Sequence, residues 1–190
     1  MKNATLKSIA NTIVGVAREE DLMLHRVGKG IFLIPELAFV YSVGRALALA
    51  NRIFSTPEVK WLPETTVGAA GRTDLVFEVK GQQAFAFEFK CAGKADDYAH
   101  DIRELASLDP AKYERIFGAL IDTWPQEIDP NARILAVEKD SRVPVERLSE
   151  SGRFDFFSTL HQGYVKQICS VVGLWRIAPE FHMPWSTSVS

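Results

Sequence analysis

The length, composition and charge of the chain point to an ordinary globular protein. Its 190 residues are 47% hydrophobic and 24% charged, which provides enough apolar material for one domain with a sizeable core. The formal net charge of −2 excludes a generally basic nucleic-acid-binding surface, so any contact with DNA or RNA must come from a local patch. The two cysteines, Cys91 and Cys169, are too few for a disulfide scaffold or a cysteine-rich zinc site.

The N-terminus and the hydropathy of the chain predict a cytoplasmic protein with no membrane partner. The first ten residues, MKNATLKSIA, are too polar for the apolar region of a secretory signal. No apolar run approaches the roughly 20 residues that a membrane-spanning helix needs. We therefore expect a reducing compartment.

The N-terminal part of the chain predicts a helix followed by a glycine-rich turn. Apolar residues recur near helical spacing over residues 5–24, which indicates an amphipathic helix. The turn that follows contains Gly28, Lys29 and Gly30, which can offer backbone amides and one ammonium to a phosphate. A plain connector explains the same residues, and the sequence does not decide between these interpretations.

A second predicted helix opens at Pro35, runs to about Phe54 and carries Glu36 in its first turn. An acid at this position complements the helix dipole, which is one explanation for it. Glu36 also shares a side of the helix with apolar residues, so it would face the sheet and need a partner such as a metal ion. Both explanations stay open; the apolar residues on its side are Val40, Val43 and Leu47.

Residues 71–90 predict a β-hairpin around which the rest of the chain is organised. Both arms are rich in strand-forming residues, and Gly81 marks the turn. Phenylalanine occupies every second position of the second arm and must face a core. The opposite face of that arm therefore carries Glu88 and Lys90, beside the small Ala86, which we expect to leave open space above them.

The length of the hairpin loop decides whether Asp74 in the first arm joins that face. Directly opposed residues in an antiparallel pair lie on the same face of the sheet. A two-residue loop would pair Asp74 with Phe89 and place it on the phenylalanine side. An odd-length loop, or a bulge that corrects the parity, pairs it with Lys90 or Glu88 instead, and this is what we predict.

The remaining segments predict an α/β fold on a mixed sheet flanked by helices. A first strand at about residues 60–67 joins the hairpin in an antiparallel three-strand meander, and a helix follows at residues 94–108. That helix suggests a crossover to a parallel strand at residues 115–122. The polar residues of the helix predict a solvated face; they are Asp96, Asp97, His100 and Asp101. Further predictions are a strand at residues 132–138 and, at residues 154–177, either a long helix or a strand followed by one.

The pattern of Asp74, thirteen intervening residues, Glu88, one residue and Lys90 resembles the PD-(D/E)XK nuclease superfamily. The resemblance also includes the segment Gly71–Leu75 and the acid Glu36 in the preceding helix, and Thr73 replaces the proline of the family name. It covers about residues 31–137 and implies a restriction-endonuclease-like core. The domain would span residues 1–190, its core at about residues 31–138 extended by an N-terminal helix and a C-terminal cap.

The resemblance implies a metal-dependent hydrolase that cleaves DNA, with RNA not excluded. Asp74 and Glu88 would bind Mg²⁺, or alternatively Mn²⁺, with help from the backbone carbonyl of Phe89, and Glu36 would bind directly or through water. Lys90 would orient the attacking water and stabilise the phosphorane charge. Enzymes of this kind often work as homodimers that cut two strands. Further candidates for phosphate contacts are Arg72, for which a salt bridge is an equal alternative, and Lys94 and Lys29.

The chemistry of phosphodiester hydrolysis favours the same residue types. A hard divalent cation held by carboxylate oxygens neutralises phosphate charge and generates a hydroxide-like nucleophile. Lys90 beside two acids should stay protonated without the metal, which favours an electrostatic role. The alternative is a non-catalytic nucleic-acid-binding or assembly module with carboxylates as ion-pair partners, since the chain lacks an obvious basic groove.

Overall fold

A computed structural model describes residues 2–54, 58–67, 71–124, 128, 131–148, 157–158 and 169–182. Four helical segments lie within these residues: α1 (Lys2–His25), α2 (Glu36–Leu49), α3 (Ala95–Ala106) and α4 (Ala132–Leu135), the last continuing as a π-helical stretch, Ala136–Asp140. Short 3₁₀ segments precede and follow α2, at Ile31–Leu33 and Asn51–Phe54. None of the described helices combines the length and apolar character needed to cross a bilayer.

The described strands form one mixed sheet, as expected for an α/β fold. They are β1 (Val59–Thr66), β2 (Arg72–Val79), β3 (Ala84–Lys90), β4 (Tyr113–Thr123), β5 (Val145–Arg147), β6 (Phe157–Ser158) and β7 (Cys169–Ile177). The order along the sheet is β1-β2-β3-β4-β7-β5, and β6 pairs with β7. Among the described strands only β3 and β4 are parallel neighbours, and the other neighbouring pairs are antiparallel.

The sheet differs from the predicted meander plus one parallel strand. β7 lies antiparallel to β4, and β5 and β6 both pair with β7, so the sheet continues well beyond β4. The predicted strand at residues 132–138 is wrong, because the chain there is helical. Asn131 caps this helix through its side chain, which accepts a hydrogen bond from the Arg133 N–H at 3.0 Å. In the region predicted as a long helix or a strand followed by one, the described residues form β6 and β7, so the prediction of a helix at Cys169–Ile177 is wrong. Residues 154–156 and 159–168 of that region lie outside the described part.

Both faces of the sheet are covered by helices. The phenylalanines of β3 pack on one face against α1 and α2, where the rings of Phe39 and Phe89 meet edge to face at 6.0 Å. The other face carries Ala86, which is fully buried in a second cluster together with residues of α3 and α4. The expectation that the small Ala86 leaves open space above Glu88 and Lys90 is therefore wrong at Ala86 itself, where helices cover the sheet. The reason is that α3 connects two parallel neighbouring strands and must cross one face of the sheet.

The register between β2 and β3 confirms that Asp74 lies on the same face of the sheet as Glu88. Leu75 is opposite Phe87, and Val76 is opposite Ala86. Because faces alternate along each strand, Asp74 shares the α3 side of the sheet with Glu88, and not the phenylalanine side. Gly81 supplies the turn with a positive φ of 72°, which glycine adopts without steric cost.

A glycine in α2 allows close packing on β1. A Cβ built at Gly44 would lie 2.5 Å from the Trp61 ring, whereas a Cβ at Gly15 in α1 would meet nothing within 4 Å. Ala is the better helix former at both positions. We expect Gly44→Ala to lower the free energy of unfolding by about 1–3 kcal/mol through overpacking, and Gly15→Ala to raise it by about 0.5–1 kcal/mol. Urea unfolding of both variants checks this; equal effects would contradict the packing explanation.

Candidate functional site

Asp74 and Glu88 come from neighbouring strands and meet on the α3 side of the sheet. The Asp74 carboxylate reaches across to β3, where its Oδ2 accepts a hydrogen bond from the Phe89 N–H at 2.8 Å. This bond ties the end of β2 to β3 beyond the last paired residues, Leu75 and Phe87. The first two predicted metal ligands are therefore side by side.

Burial strongly perturbs the protonation of these two acids. Desolvation raises the pKa of Glu88 to about 9, and the negative charges of Asp74 and Asp101 add to the effect. Desolvation also raises the pKa of Asp74 to about 6, against the lowering effect of the Phe89 amide. Glu88 therefore keeps its proton at neutral pH, whereas Asp74 ionises about two pH units later than an ordinary aspartate.

Glu36 reaches the same end of β3 from the other side of the sheet. Its Oε2 accepts a hydrogen bond from the N–H of Cys91, the residue directly after β3, at 2.8 Å. Its charge contributes to raising the pKa of Asp74. The interpretation that Glu36 faces the sheet is thus confirmed, and carboxylates from α2, β2 and β3 lie near one another.

Lys90 forms an ion pair with an acid on α3. Its Nζ lies 2.8 Å from Asp101 Oδ2, with side chains only 23% and 12% exposed. Burial lowers the pKa of Lys90, but the bond to Asp101 and its negative charge outweigh that effect, so the pKa is raised above its ordinary value. Lys90 therefore stays protonated, as predicted from its acidic surroundings.

Asp101 is a further acid of the candidate site, which was not singled out from its sequence pattern. The prediction of a solvated face holds for Asp96, Asp97 and His100, which are exposed, but it is wrong for the buried Asp101. The sequence carried a signal, because Asp101 is three residues after Tyr98 and four before Leu105, both on the buried face of α3. An acid in that helical register faces the core.

The acids of the site do not form a closed metal cage. Among the described residues, one set of three possible ligand side chains has its ligand atoms within 4.8 Å of one another: His100, Asp101 and Glu104. The predicted metal-binding acids, Asp74, Glu88 and Glu36, do not form such a set. His100 and Glu104 are exposed and 3.2 Å apart. Asp74 and Glu88 belong to no such set among the described residues, and Mg²⁺ binding by them stays a prediction.

The predicted phosphate-contacting residues lie in separate places. Arg72 pairs with Glu64 on β1 at 2.6 Å, as in the salt-bridge alternative, and is exposed. Lys94 precedes α3 and its N–H donates to Asp97 Oδ2 at 2.7 Å. Lys29 is exposed in the turn after α1, where its N–H donates to Leu24 O at 2.9 Å. Contacts of these three residues with nucleic acid stay predictions.

Searches with this chain against models of protein families, against curated proteins and against solved structures found no match.

Proposed function

We propose that the chain is a magnesium-dependent nuclease that hydrolyses DNA phosphodiester bonds, with a PD-(D/E)XK-type site. The observation that carries the proposal is that Asp74 and Glu88, two partly buried acids with raised pKa values, lie on the same face of adjacent strands. Lys90 follows Glu88 by two residues on the same strand face. Perturbed acids beside a fixed ammonium are typical of catalytic sites.

The charge balance of the site supports a divalent cation. Four carboxylates surround the end of β3, and the ammonium of Lys90 is the one cation that the described contacts place among them. The carboxylates belong to Glu36, Asp74, Glu88 and Asp101. Since burial and neighbouring negative charges oppose the ionised forms of Asp74 and Glu88, a bound Mg²⁺ or Mn²⁺ would stabilise those forms.

Each residue has a definable task in phosphodiester hydrolysis. Asp74 and Glu88 would hold the cation, with the Phe89 carbonyl and Glu36 as further oxygen donors. The metal ion, when bound, would neutralise phosphate charge and lower the pKa of a coordinated water. Lys90 stays protonated beside Asp101, so it would stabilise negative charge on the phosphate rather than remove a proton.

A non-catalytic binding or assembly module is the second candidate, and a specific observation favours it. Several polar groups of the site already have partners: Asp74 accepts from the Phe89 N–H, Glu36 from the Cys91 N–H, and Lys90 pairs with Asp101. In this case the acids serve to fasten α2, β2 and α3 to the end of β3.

Metal titration and DNA cleavage together separate the two candidates. We expect Mg²⁺ to bind in calorimetry, and supercoiled plasmid to be nicked or linearised with Mg²⁺ or Mn²⁺ but not with EDTA. Single-stranded DNA and RNA in parallel reactions define the substrate. A protein that binds no divalent ion and cuts none of these substrates would be a module, and the nuclease proposal would be abandoned.

A further inference from the structure

The ion pair between Lys90 and Asp101 stands out because the acid occupies a core position of its helix. The buried face of α3 also carries Tyr98, Ile102 and Leu105. An apolar residue at position 101 would continue that face, whereas an acid must be desolvated and stabilised by a partner. The partner is Lys90, which the strand places on the α3 side of the sheet.

Lys90 has nearby acids other than Asp101 that could attract it. Asp74 and Glu88 lie on the same face of β2 and β3 as Lys90, and a lysine side chain is long and flexible. The ammonium nevertheless pairs with Asp101 at 2.8 Å. The attraction of Lys90 lowers the pKa of Asp74 less than burial and the neighbouring acids raise it, so Asp74 keeps a perturbed pKa.

We propose that Asp101 is a positioning residue that draws the Lys90 ammonium toward α3 and so keeps Asp74 and Glu88 open to a divalent cation. This inference rests on the proposed function. Without Asp101, the ammonium would turn to the two strand carboxylates and compete with the metal for them. Asp101 thereby also fixes Lys90 at the edge of the site, where a phosphate can reach it.

Calorimetric titration with Mg²⁺ tests the competition directly in four proteins: wild type, Asp101→Asn, Lys90→Ala and the double variant. We expect Asp101→Asn to weaken Mg²⁺ affinity about tenfold or more when Lys90 is present. In the Lys90→Ala background the same substitution should change the affinity by less than about twofold, because no ammonium is left to compete. Asp96→Asn, an exposed Asp→Asn change on the same helix, is the matched control and should leave affinity unchanged.

Two results of these four titrations would reject the positioning role of Asp101 without rejecting the proposed nuclease function. An equal loss of affinity in both Lys90 backgrounds means that Asp101 acts only through its own charge, and no loss in either means that it has no role toward the metal. Both results reject the positioning role while leaving metal binding and cleavage intact. Absence of Mg²⁺ binding by wild type rejects the proposed function as well. Asp101→Ser, titrated in the same two backgrounds, replaces Asp101→Asn if the latter does not fold by circular dichroism.

Discussion

Asp74→Asn is expected to reduce Mg²⁺-dependent DNA cleavage at least about a hundredfold, a loss of the size seen when a key electrostatic group is removed from an active site. Asparagine keeps an oxygen that can accept the Phe89 N–H, now 2.8 Å from Asp74 Oδ2. The hydrogen bond that links β2 to β3 should therefore be retained in the variant. What disappears is the negative charge that the cation needs, so the defect should be in metal binding and rate, not in folding.

The experiment compares initial cleavage rates over a range of Mg²⁺ concentrations. Glu78→Gln is the matched control, because Glu78 lies on the same strand but is exposed and pairs only loosely with Lys60 at 3.7 Å. The control should cleave at the wild-type rate, and both variants should unfold at similar urea concentrations. Wild-type cleavage by Asp74→Asn would show that the activity does not depend on this site.

The hairpin and its charged face could be predicted because short-range rules determine them. Strict alternation in β3 places Glu88 and Lys90 opposite the phenylalanines, and the parity of the turn then places Asp74 beside them. These arguments need only the pleat of the strand and the length of the loop. The placement of Asp74, Glu88 and Lys90 therefore follows from about 20 consecutive residues, whereas Glu36 and Asp101 come from α2 and α3.

The parts that were predicted wrongly depend on packing between distant segments. The apolar run at residues 132–138 suits a buried strand or a buried helix, and only the Asn131 cap distinguishes them locally. The burial of Asp101 depends on which face of α3 meets the sheet, and the coverage of Ala86 depends on the same choice. Lys90 and Asp101 belong to separate elements, so no local pattern shows that they pair.

Glu88→Gln should have opposite effects on the free energy of unfolding and on function. The pKa of Glu88 in the folded protein is about 9, against an ordinary value of 4.5. Between these values the folded state keeps a proton that the unfolded state has released, so the stability of the wild type falls as the pH rises. Glutamine carries no charge and removes this penalty. At pH 8 in EDTA we expect the variant to be more stable by about 2 kcal/mol.

Urea unfolding at pH 5 and pH 8 in EDTA measures the effect, with Glu78→Gln as the exposed control. The wild type should lose stability between the two pH values, and Glu88→Gln should lose much less. Part of the pH dependence should remain in the variant, because Asp74 also has a raised pKa of about 6. A variant that is less stable than wild type at pH 8 would contradict the view that Glu88 is a desolvated, protonated acid.

Adding Mg²⁺ should reverse the order of the two proteins. A ligand that binds only the folded state stabilises it by about 2.7 kcal/mol at one hundred times its Kd. The wild type should gain this stabilisation, since the cation replaces the proton on Glu88, while Glu88→Gln should gain little and lose cleavage. An acid that destabilises the metal-free protein and stabilises the metal-bound one is explained by metal binding, whereas an acid kept only as a structural fastener would show no response to Mg²⁺.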